Sequence, residues 1–412
     1  MIKKFLTFAF LSLAMFSHAA ADDIPRPRAI PPVEIAELDR SLLRGLDFLL
    51  THQRKNGSFG SPLNTKKLNI YAPGTSHEGF HAGTNALCLS ALIEMETWLK
   101  TLPENPETEE QKAFLARRQR LTESIARCEE WTLENLPRLR RSAPTALYNV
   151  WGHAYGIQSL CRMAGRTPPG LSEDEIAVRR EKILEEIRHQ VELLRRFECL
   201  NGGWCYYNFG FPTQVNSGSP LSFVTATIFI ALDEARALGV DIPEHLITRG
   251  TASILRQRRP NNAYCYGEYL VKDAREINLP AGSLSRSLVC TLALSRWGEH
   301  DFITQQLFTD SLDRFIARIG WNDIGRKRPV PHEAWFQVAG YFYYYGHYYA
   351  AGCMEKLEDP ALRKKYANHL ADILLGLQEP DGSWWDFPLY DYHPYYGTGM
   401  AVTVLLKCRK EF

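Results

Sequence analysis

Histidine is the residue type whose placement in this sequence most suggests chemistry. Five of the twelve histidines stand shortly before or within the first turn of a predicted apolar helix, namely His77, His81, His153, His332 and His393. The imidazole group exchanges protons near neutral pH and is the commonest metal ligand in proteins. The shared position predicts that these residues meet at one end of the fold, with His153 and His393 as the foremost acid–base candidates.

Carboxylates accompany these histidines. Glu78 and Glu333 each directly follow a histidine, and Asp391 stands two residues before His393. A carboxylate beside an imidazole can serve as its acid or base partner. The alternative is that these side chains stabilise the positive end of a helix. All three are catalytic candidates.

Other residues at the starts of the apolar segments are candidates for ligand binding. The set comprises His77, His81, Trp151, Tyr155, Arg286, His332, Tyr345, His347 and Tyr395. The aromatic run from Tyr341 to Tyr349 spans more than two helical turns, so its side chains must point all around the helix. Tyrosine combines a flat apolar face with a hydroxyl, which suits stacking on sugars or a mixed polar cavity. The alternative for this run is packing between helices.

The elements that must position these residues are helices. Hydrophobic periodicity predicts twelve of them and almost no strand. Amphipathic, charged segments such as 173–197 alternate with segments such as 221–238 that are apolar nearly all round, and a helix without a polar stripe must be enclosed. The pattern therefore predicts six pairs of outer and inner helices. The spans are 35–52, 83–98, 110–133, 149–164, 173–197, 221–238, 244–257, 283–297, 302–318, 335–355, 361–377 and 397–409.

The connections between these helices are unequal. Links from outer to inner helices run to roughly 14–30 residues, whereas the return links are mostly shorter than about 12, and long structureless loops are usually functional. If the inner helices are parallel, their amino termini converge on one mouth of the fold. Unpaired amide groups at helix amino termini attract negative charge. The sequence thus predicts a binding site at this mouth, with an anionic ligand or a glycan as its occupant.

A short motif recurs where four outer helices end. Gln378 is followed by Asp381-Gly382-Ser383-Trp384, and similar turns are Asn56-Gly57-Ser58-Phe59 after Gln53, Asn201-Gly202-Gly203-Trp204 after Glu198, and Asn261-Asn262-Ala263-Tyr264 after Arg258. Such self-similarity indicates a repeat architecture. The segment 378–384, followed by Tyr396-Gly397-Thr398-Gly399-Met400, resembles the repeat signature of the terpenoid cyclase and protein prenyltransferase superfamily, most of all the squalene-hopene cyclase-like repeats.

This resemblance implies an all-α fold, an (α/α)6 toroid of six helical hairpins with the inner helices parallel around an axial cavity. It covers nearly all of the chain from residue 35 to residue 412. It also implies that the glutamine and the aromatic residue of each motif brace an outer helix against its loop. The motif is typical of a fold and does not by itself define an activity.

The chemistries of the superfamily are poorly matched. Squalene-hopene cyclases carry their protonating acid in an Asp-x-Asp-Asp-Thr-Ala motif, and the similar segment here places Leu221, Phe223 and Val224 where the acids would stand. None of these side chains donates a proton. Asp391-Tyr392-His393 loosely resembles a zinc-binding segment of the prenyltransferases, but the matching Asp-x-Cys is missing. We therefore predict no metal and no other cofactor.

Composition and the amino-terminal residues suggest where the protein works. The 48 basic residues balance 47 acidic ones, which gives no reason to expect a nucleic-acid partner. Lys3 and Lys4 precede an apolar run that is too short to span a membrane, and small residues follow up to Ala21. We predict a signal peptide at 1–21, an N-terminal extension at 22–34, a single toroid domain at 35–412, and a secreted or periplasmic location.

The nine cysteines do not form a disulfide framework, since their number is odd and their spacing irregular. Cys88, Cys161 and Cys290 stand where small core side chains are expected, and a bridge that involves Cys199 or Cys205 is the alternative.

Three functions remain open at this point. The first is an exported protein that binds a ligand at the mouth without cyclase activity. The second is an enzyme that acts on a polysaccharide or another polar substrate, as a glycosidase or lyase. The third is a terpenoid cyclase with a displaced acid, such as Asp386 or Asp391.

Overall fold

The computed structural model describes residues 24–60, 77–102, 109–209, 216–273, 275–298 and 300–412. Within these ranges the chain is helical, and its β-type pairings are isolated bridges in loops. The predicted signal peptide at 1–21 lies outside the described residues. The helices are α1 (Ile35–His52), α2 (His77–Leu99), α3 (Glu109–Asn135), α4 (Asn149–Gly165), α5 (Glu173–Arg196), α6 (Ser222–Ala237), α7 (Glu244–Gln257), α8 (Leu284–Leu294), α9 (Gln305–Ala317), α10 (Ile319–Asp323), α11 (Phe342–Met354), α12 (Pro360–Leu375) and α13 (His393–Arg409).

The division into two kinds of helix follows from side-chain polarity. The outer helix α5 starts with a capping box, in which Ser172 and Glu175 each bond the other's backbone amide, and it buries only one stripe of apolar residues. The inner helix α2 carries small or apolar side chains on all sides and is buried along most of its length. None of the helices in the described ranges combines the length and apolarity needed to cross a membrane.

Six inner helices form a closed ring. Each packs against the next in the order α2, α4, α6, α8, α11 and α13, and α13 returns to pack against α2. Around them, α3, α5, α7 and α9 pack against α2, α4, α6 and α8 respectively, while α1 and α12 both pack against α13. The protein is therefore an (α/α)6 toroid, and the first and last hairpins meet to close it.

Glycines allow close approach where inner helices meet. A Cβ atom on Gly399 of α13 would stand 3.1 Å from the Leu87 carbonyl oxygen in α2, and one on Gly152 of α4 would stand 3.3 Å from the Gly79 carbonyl oxygen. On the outer layer, the Arg409 guanidinium pairs with the Asp39 carboxylate at 2.7 Å. The last helix of the chain is thus fixed to both α1 and α2.

The recurring turns join neighbouring outer helices. Gln378 Nε2 donates to the Ser41 carbonyl in α1 at 3.0 Å and to the Gly382 carbonyl in its own turn at 2.9 Å. Gln53 makes the equivalent pair of bonds, to Ser124 in α3 and to Gly57. The long polar side chain at the end of each of these helices therefore holds its turn against the next outer helix.

The aromatic residues of the motif hold the turn against the core. The Trp204 and Trp384 indoles donate to the carbonyls of Leu194 and Leu374 at 2.7 and 2.8 Å. Both rings are fully buried. These side chains support the fold and are not available to a ligand.

Two inner helices begin earlier than predicted and one begins later. α2 and α13 start at His77 and His393, six and four residues earlier than the periodicity indicates, so both histidines lie within helices. α11 starts only at Phe342, because Phe336 and Gln337 have left-handed backbone angles with φ of 60° and 52°. The short helix α10 was not predicted.

Candidate functional site

A cavity of about 670 Å³ lies inside the ring. Its walls come from the amino-terminal halves of α2, α4, α6, α11 and α13, together with the loops that precede these helices. Because first-turn residues of five inner helices face the same space, these helices run in parallel. The cavity therefore lies at their common amino-terminal end.

Aromatic rings make up more than half of the residues that line this space, which we call the aromatic cavity. They are Phe80, Tyr148, Trp151, Tyr155, Tyr206, Tyr207, Phe209, Phe223, Tyr266, Tyr269, Tyr341, Phe342, Tyr345, Phe387 and Tyr396. Among the described residues, no Asp, Glu, Lys or Arg lines it, and His332 is its only histidine. A lining of this kind favours an uncharged ligand with a large apolar surface.

Four of the predicted binding residues line the aromatic cavity. They are Trp151 and Tyr155 of α4, Tyr345 of α11, and His332 from the loop before α11. Trp151 and Tyr155 stack at a centroid distance of 6.1 Å, one helical turn apart on the same face. Tyr345 lies edge-on to Trp151 and bonds the Thr227 hydroxyl at 2.9 Å. These side chains form one continuous wall.

The expectation that His153 faces the axis is wrong. Its ring is fully buried between α4 and the outer helix α5, where Nδ1 donates to Gln190 Oε1 at 2.6 Å and Nε2 accepts from Asn149 at 3.1 Å. Burial lowers the pKa of His153 to about 4. His153 is a neutral residue of the helix–helix interface and does not contact the cavity.

His347 and Arg286 also lie behind the lining. His347 packs on Phe315 of α9 and donates to the Tyr343 carbonyl at 2.9 Å, and burial lowers its pKa to about 4. The Arg286 guanidinium lies 5.4 Å from the ring centroids of both Tyr266 and Phe342, on the side away from the cavity. Neither residue reaches the cavity surface, so neither is a direct ligand contact in this structure.

The predicted residues near α1 and α13 form a separate group outside the cavity lining. His81 is buried against Trp131 and Tyr392, with centroid distances of 4.7 and 5.7 Å, and burial lowers its pKa to about 4. The Tyr392 hydroxyl donates to the His77 carbonyl at 3.3 Å. Burial raises the pKa of the neighbouring Asp391.

The remaining candidates are also outside the cavity lining. Tyr395 stacks on Phe48 at 5.8 Å, and His393 packs against Trp385 at 5.0 Å. Glu78 and Glu333 are exposed to solvent. None of the five predicted acid–base residues is among those that line the cavity.

Sequence reasoning missed two tyrosines of the site, Tyr206 and Tyr266, and named a third, Tyr341, only as part of the aromatic run. The Tyr206 and Tyr266 hydroxyls bond each other, and the Tyr266 hydroxyl lies 3.2 Å from that of Tyr341. The Tyr341 hydroxyl lies 3.0 Å from His332 Nε2. A signal for the first two was present, because Tyr206 and Tyr266 each follow a motif aromatic, Trp204 and Tyr264, by two residues.

One buried carboxyl group lies directly behind the lining. Asp386 is fully buried, accepts a bond from the Tyr396 hydroxyl at 2.7 Å and another from the Tyr344 amide at 3.0 Å. Burial raises its pKa to about 6. Tyr396 lines the cavity and separates Asp386 from it, so a ligand would touch the phenol and not the carboxyl group.

Thiols and metal-binding groups add little to this site. Cys199 and Cys205 are buried free thiols whose sulfur atoms lie 3.5 Å apart, and Cys205 lines the cavity. The part of the chain that the structure describes contains no group of three or more His, Cys, Asp or Glu residues that could hold a metal ion.

Of the known proteins compared with this chain, only solved structures are similar to it. A scan of protein families found no match, and neither did a search of curated proteins. Structures of the type II terpene cyclase MstE from Scytonema resemble this chain over 92% of its length and 99% of theirs. The complex with its substrate geranylgeranyl dihydroxybenzoate is 12% identical with a TM-score of 0.49, and the apo form of a variant is 14% identical with a TM-score of 0.46. The ring closes through the helix contacts of this chain itself.

Proposed function

We propose that this protein binds a neutral, lipophilic ligand in the aromatic cavity and does not carry out protonation-initiated cyclisation. The observation that carries the proposal is the lining, which is mainly aromatic and, in the described residues, contains no charged side chain. A volume of about 670 Å³ suits a small organic molecule, since ligand pockets commonly measure about 300–1,000 Å³. The lining gives less support to the predicted anionic ligand, since none of the described residues that line the space carries a cationic side chain.

Aromatic side chains continue from the lining to the protein surface. Phe209 and Tyr269 line the cavity and are 80% and 62% exposed, respectively. Trp335, three residues from His332, is 76% exposed. Among the described residues, these exposed rings extend the apolar lining to the surface, and this supports an entrance for an apolar molecule.

Export is a separate part of the proposal and rests on the residues before Asp22. Expression from the full chain, followed by cell fractionation and amino-terminal sequencing, tests it. We expect the mature chain outside the cytoplasm, starting near Ala21. A cytoplasmic protein that retains Met1 would contradict export and leave ligand binding unaffected.

Binding is tested with a neutral fluorescent probe, N-phenyl-1-naphthylamine. We expect saturable binding that is lost, by about tenfold or more in affinity, when Gly83→Phe fills the cavity. A Cβ atom on Gly83 would have its nearest neighbours at an ordinary distance of 3.7 Å, so the new ring extends into open space. The matched control is Gly165→Phe, at an exposed position with no atom within 4 Å of the added Cβ. Equal binding by both variants would show that the probe does not occupy the cavity.

A terpenoid cyclase is the second candidate, because of Asp386. A carboxyl group with its pKa raised to about 6 remains partly protonated near neutral pH, and Tyr396 connects it to the cavity. Incubation of the purified protein with squalene and with geranylgeraniol, followed by product analysis, tests this function. We expect only starting material. A cyclic product that disappears in Asp386→Asn would overturn the proposal.

A glycosidase is less well supported than either. Its usual mechanism needs two carboxyl groups on either side of the scissile bond, and among the described residues none lines the cavity.

A further inference from the structure

The hydroxyl chain formed by Tyr206, Tyr266, Tyr341 and His332 is the main polar feature of the aromatic cavity. All four residues line the space, and they come from three different loops. His332 forms the end of the chain, since its Nδ1 contacts the Gln337 carbonyl oxygen at 2.7 Å. The whole array is thus continuous from the Gln337 backbone to the Tyr206 hydroxyl.

The direction of the hydrogen bonds in this chain follows from its fixed end. A carbonyl oxygen only accepts, so His332 Nδ1 must carry a hydrogen atom. Burial lowers the pKa of His332, and Arg286 lowers it further. The ring is therefore neutral at pH 7, and Nε2 accepts from the Tyr341 hydroxyl. It follows that Tyr266 donates to Tyr341 and Tyr206 donates to Tyr266.

At the other end of the chain, the lone pairs of the Tyr206 hydroxyl oxygen can still accept a hydrogen bond. A hydrogen-bond donor on the ligand would complete the chain there. Buried polar groups need partners, and an apolar ligand with one hydroxyl would supply the missing donor. The chain thus selects for a hydroxyl among otherwise similar apolar molecules.

Arg286 provides positive charge next to the chain. Its guanidinium lies against the Tyr266 ring, is 1% exposed and donates to the Ile277 carbonyl. Among the described residues, no carboxylate forms an ion pair with it, so its charge is not neutralised locally.

The loop that holds His332 has an unusual backbone. His332, Phe336 and Gln337 all have positive φ values, of 66°, 60° and 52°. Residues other than glycine adopt positive φ values only at a cost in conformational energy, and such strained residues are commonest at functional sites. Here the strained segment is the one that aligns the imidazole with the carbonyl oxygen and with Tyr341.

We infer that the hydroxyl chain binds the hydroxyl of a lipophilic alcohol or phenol. This inference rests on the proposed function, since it assigns a polar subsite to the same cavity. The ligand hydroxyl donates a hydrogen bond to the Tyr206 oxygen, and Tyr206, Tyr266 and Tyr341 donate in turn along the chain to His332 Nε2. No covalent bond forms or breaks, and the ligand stays neutral.

The experiment compares 2-naphthol with naphthalene, which share one ring system and differ by a hydroxyl. We expect the purified protein to bind 2-naphthol about tenfold more tightly, the equivalent of one good hydrogen bond. The absorption spectrum of bound 2-naphthol should be that of the neutral form at pH 7. Equal affinities, or a bound 2-naphthol in the naphtholate form, would overturn the inference.

Variants assign these effects to the chain. Tyr206→Phe should bind naphthalene as before and lose the preference for 2-naphthol. His332→Gln should keep most of the preference, because the glutamine oxygen can accept the hydrogen bond from Tyr341. Tyr395→Phe is the control, since it removes a phenol outside the cavity lining. A loss of the preference in Tyr395→Phe, or its retention in Tyr206→Phe, would contradict the assignment.

The outcomes separate this inference from the proposed function. If neither naphthalene nor the neutral fluorescent probe binds, the proposed function fails and the inference fails with it. If naphthalene and the fluorescent probe bind, and 2-naphthol binds no more tightly than naphthalene, the cavity is a binding site. Only the role of the hydroxyl chain is then assigned wrongly.

Discussion

Side chains on an inner helix differ in chemistry according to the side on which they lie. Trp151 and His153 are two residues apart in α4, yet one lines the cavity and the other bonds Gln190 of the outer helix. Residue type does not reveal this difference, because an inner helix is apolar all round and offers no polar stripe to orient it. A histidine in the first turn therefore indicates the end of the helix at which it lies, but not the face on which it lies.

Substitution of these two residues should separate stability from binding. His153→Ala removes two buried hydrogen bonds and leaves a void, so we expect the free energy of unfolding to fall by about 2–4 kcal/mol. Its affinity for N-phenyl-1-naphthylamine should be unchanged. Trp151→Ala should weaken probe binding instead. Urea denaturation and probe titration of both variants test this, and weakened binding in His153→Ala would contradict its placement.

Asp386 should make stability depend on pH in a distinctive direction. Its pKa is raised from 3.8 to about 6 in the folded protein, so the folded state binds more protons than the unfolded state between these values. The stabilising contribution is complete below pH 3.8 and is lost as pH rises through 6, by about 3 kcal/mol in total.

The variant Asp386→Asn lacks this titration. We therefore expect the free energy of unfolding of the wild type, relative to Asp386→Asn, to decrease between pH 4 and 6. Urea denaturation at a series of pH values measures the difference, with the exposed Asp241→Asn as control. A difference that does not vary with pH would mean that Asp386 keeps an ordinary pKa.

At the scale of elements, the recurring turn shows why glycine is used. Gly382 has φ of 91°, and an added Cβ would stand 2.5 Å from the Arg44 carbonyl oxygen of α1. Gly57 and Gly202 have equivalent contacts with the backbone of Arg127 and Arg249. The residue at this position of the turn must therefore adopt a left-handed conformation and carry no side chain.

A comparison of two glycines separates these requirements. Gly239, at the end of α6, has a similar φ of 87° but no atom within 4 Å of the added Cβ. We expect Gly239→Ala to cost about 1–2 kcal/mol from the backbone conformation alone. Gly382→Ala should cost about 1–3 kcal/mol more, because of the clash with α1. Similar losses in urea denaturation would mean that α1 moves away without cost.

Most helices could be predicted from periodicity, whereas the beginnings of α2, α11 and α13 could not. The bounds of α1, α5 and α7 agree with prediction to within one residue. The start of α11 was missed because three residues of the preceding loop have left-handed backbone angles, which nothing in an aromatic, apolar sequence indicates. Pro394 in the first turn of α13 was compatible with an earlier start, since proline is favoured there.

At the scale of the whole molecule, ring closure decides which distant residues meet. Tyr206, Tyr266 and Tyr341 lie 60 and 75 residues apart and belong to different hairpins. Their distances depend on how the ring curves, and this is a property of all six hairpins together. The mouth could therefore be predicted from the direction of the helices, whereas the hydroxyl chain could not.

Buried histidines should make the folded protein sensitive to acid. Burial lowers the pKa values of His81, His153 and His347 to about 4, against 6.5 when unfolded. The unfolded state thus binds more protons between pH 6.5 and 4, and stability is lost as pH falls through this window. Asp386 acts in the opposite direction with a single group.

We expect the thermal midpoint of the protein to drop steadily from pH 6.5 to 4. Calorimetry at a series of pH values measures this, and His347→Gln should reduce the slope by removing one of the groups. A midpoint that is constant over this range would show that these histidines are protonated in the folded state.

The contact between α13 and the first two helices also determines how the protein can come apart. In a linear stack of hairpins, the terminal units have one neighbour and can fray alone. Here every hairpin has two neighbours, and the Arg409–Asp39 pair fixes the last helix to the first. Local melting has no terminal hairpin at which to start, because no hairpin of the ring has a single neighbour. Loss of any one hairpin would open the compartment that it helps to enclose.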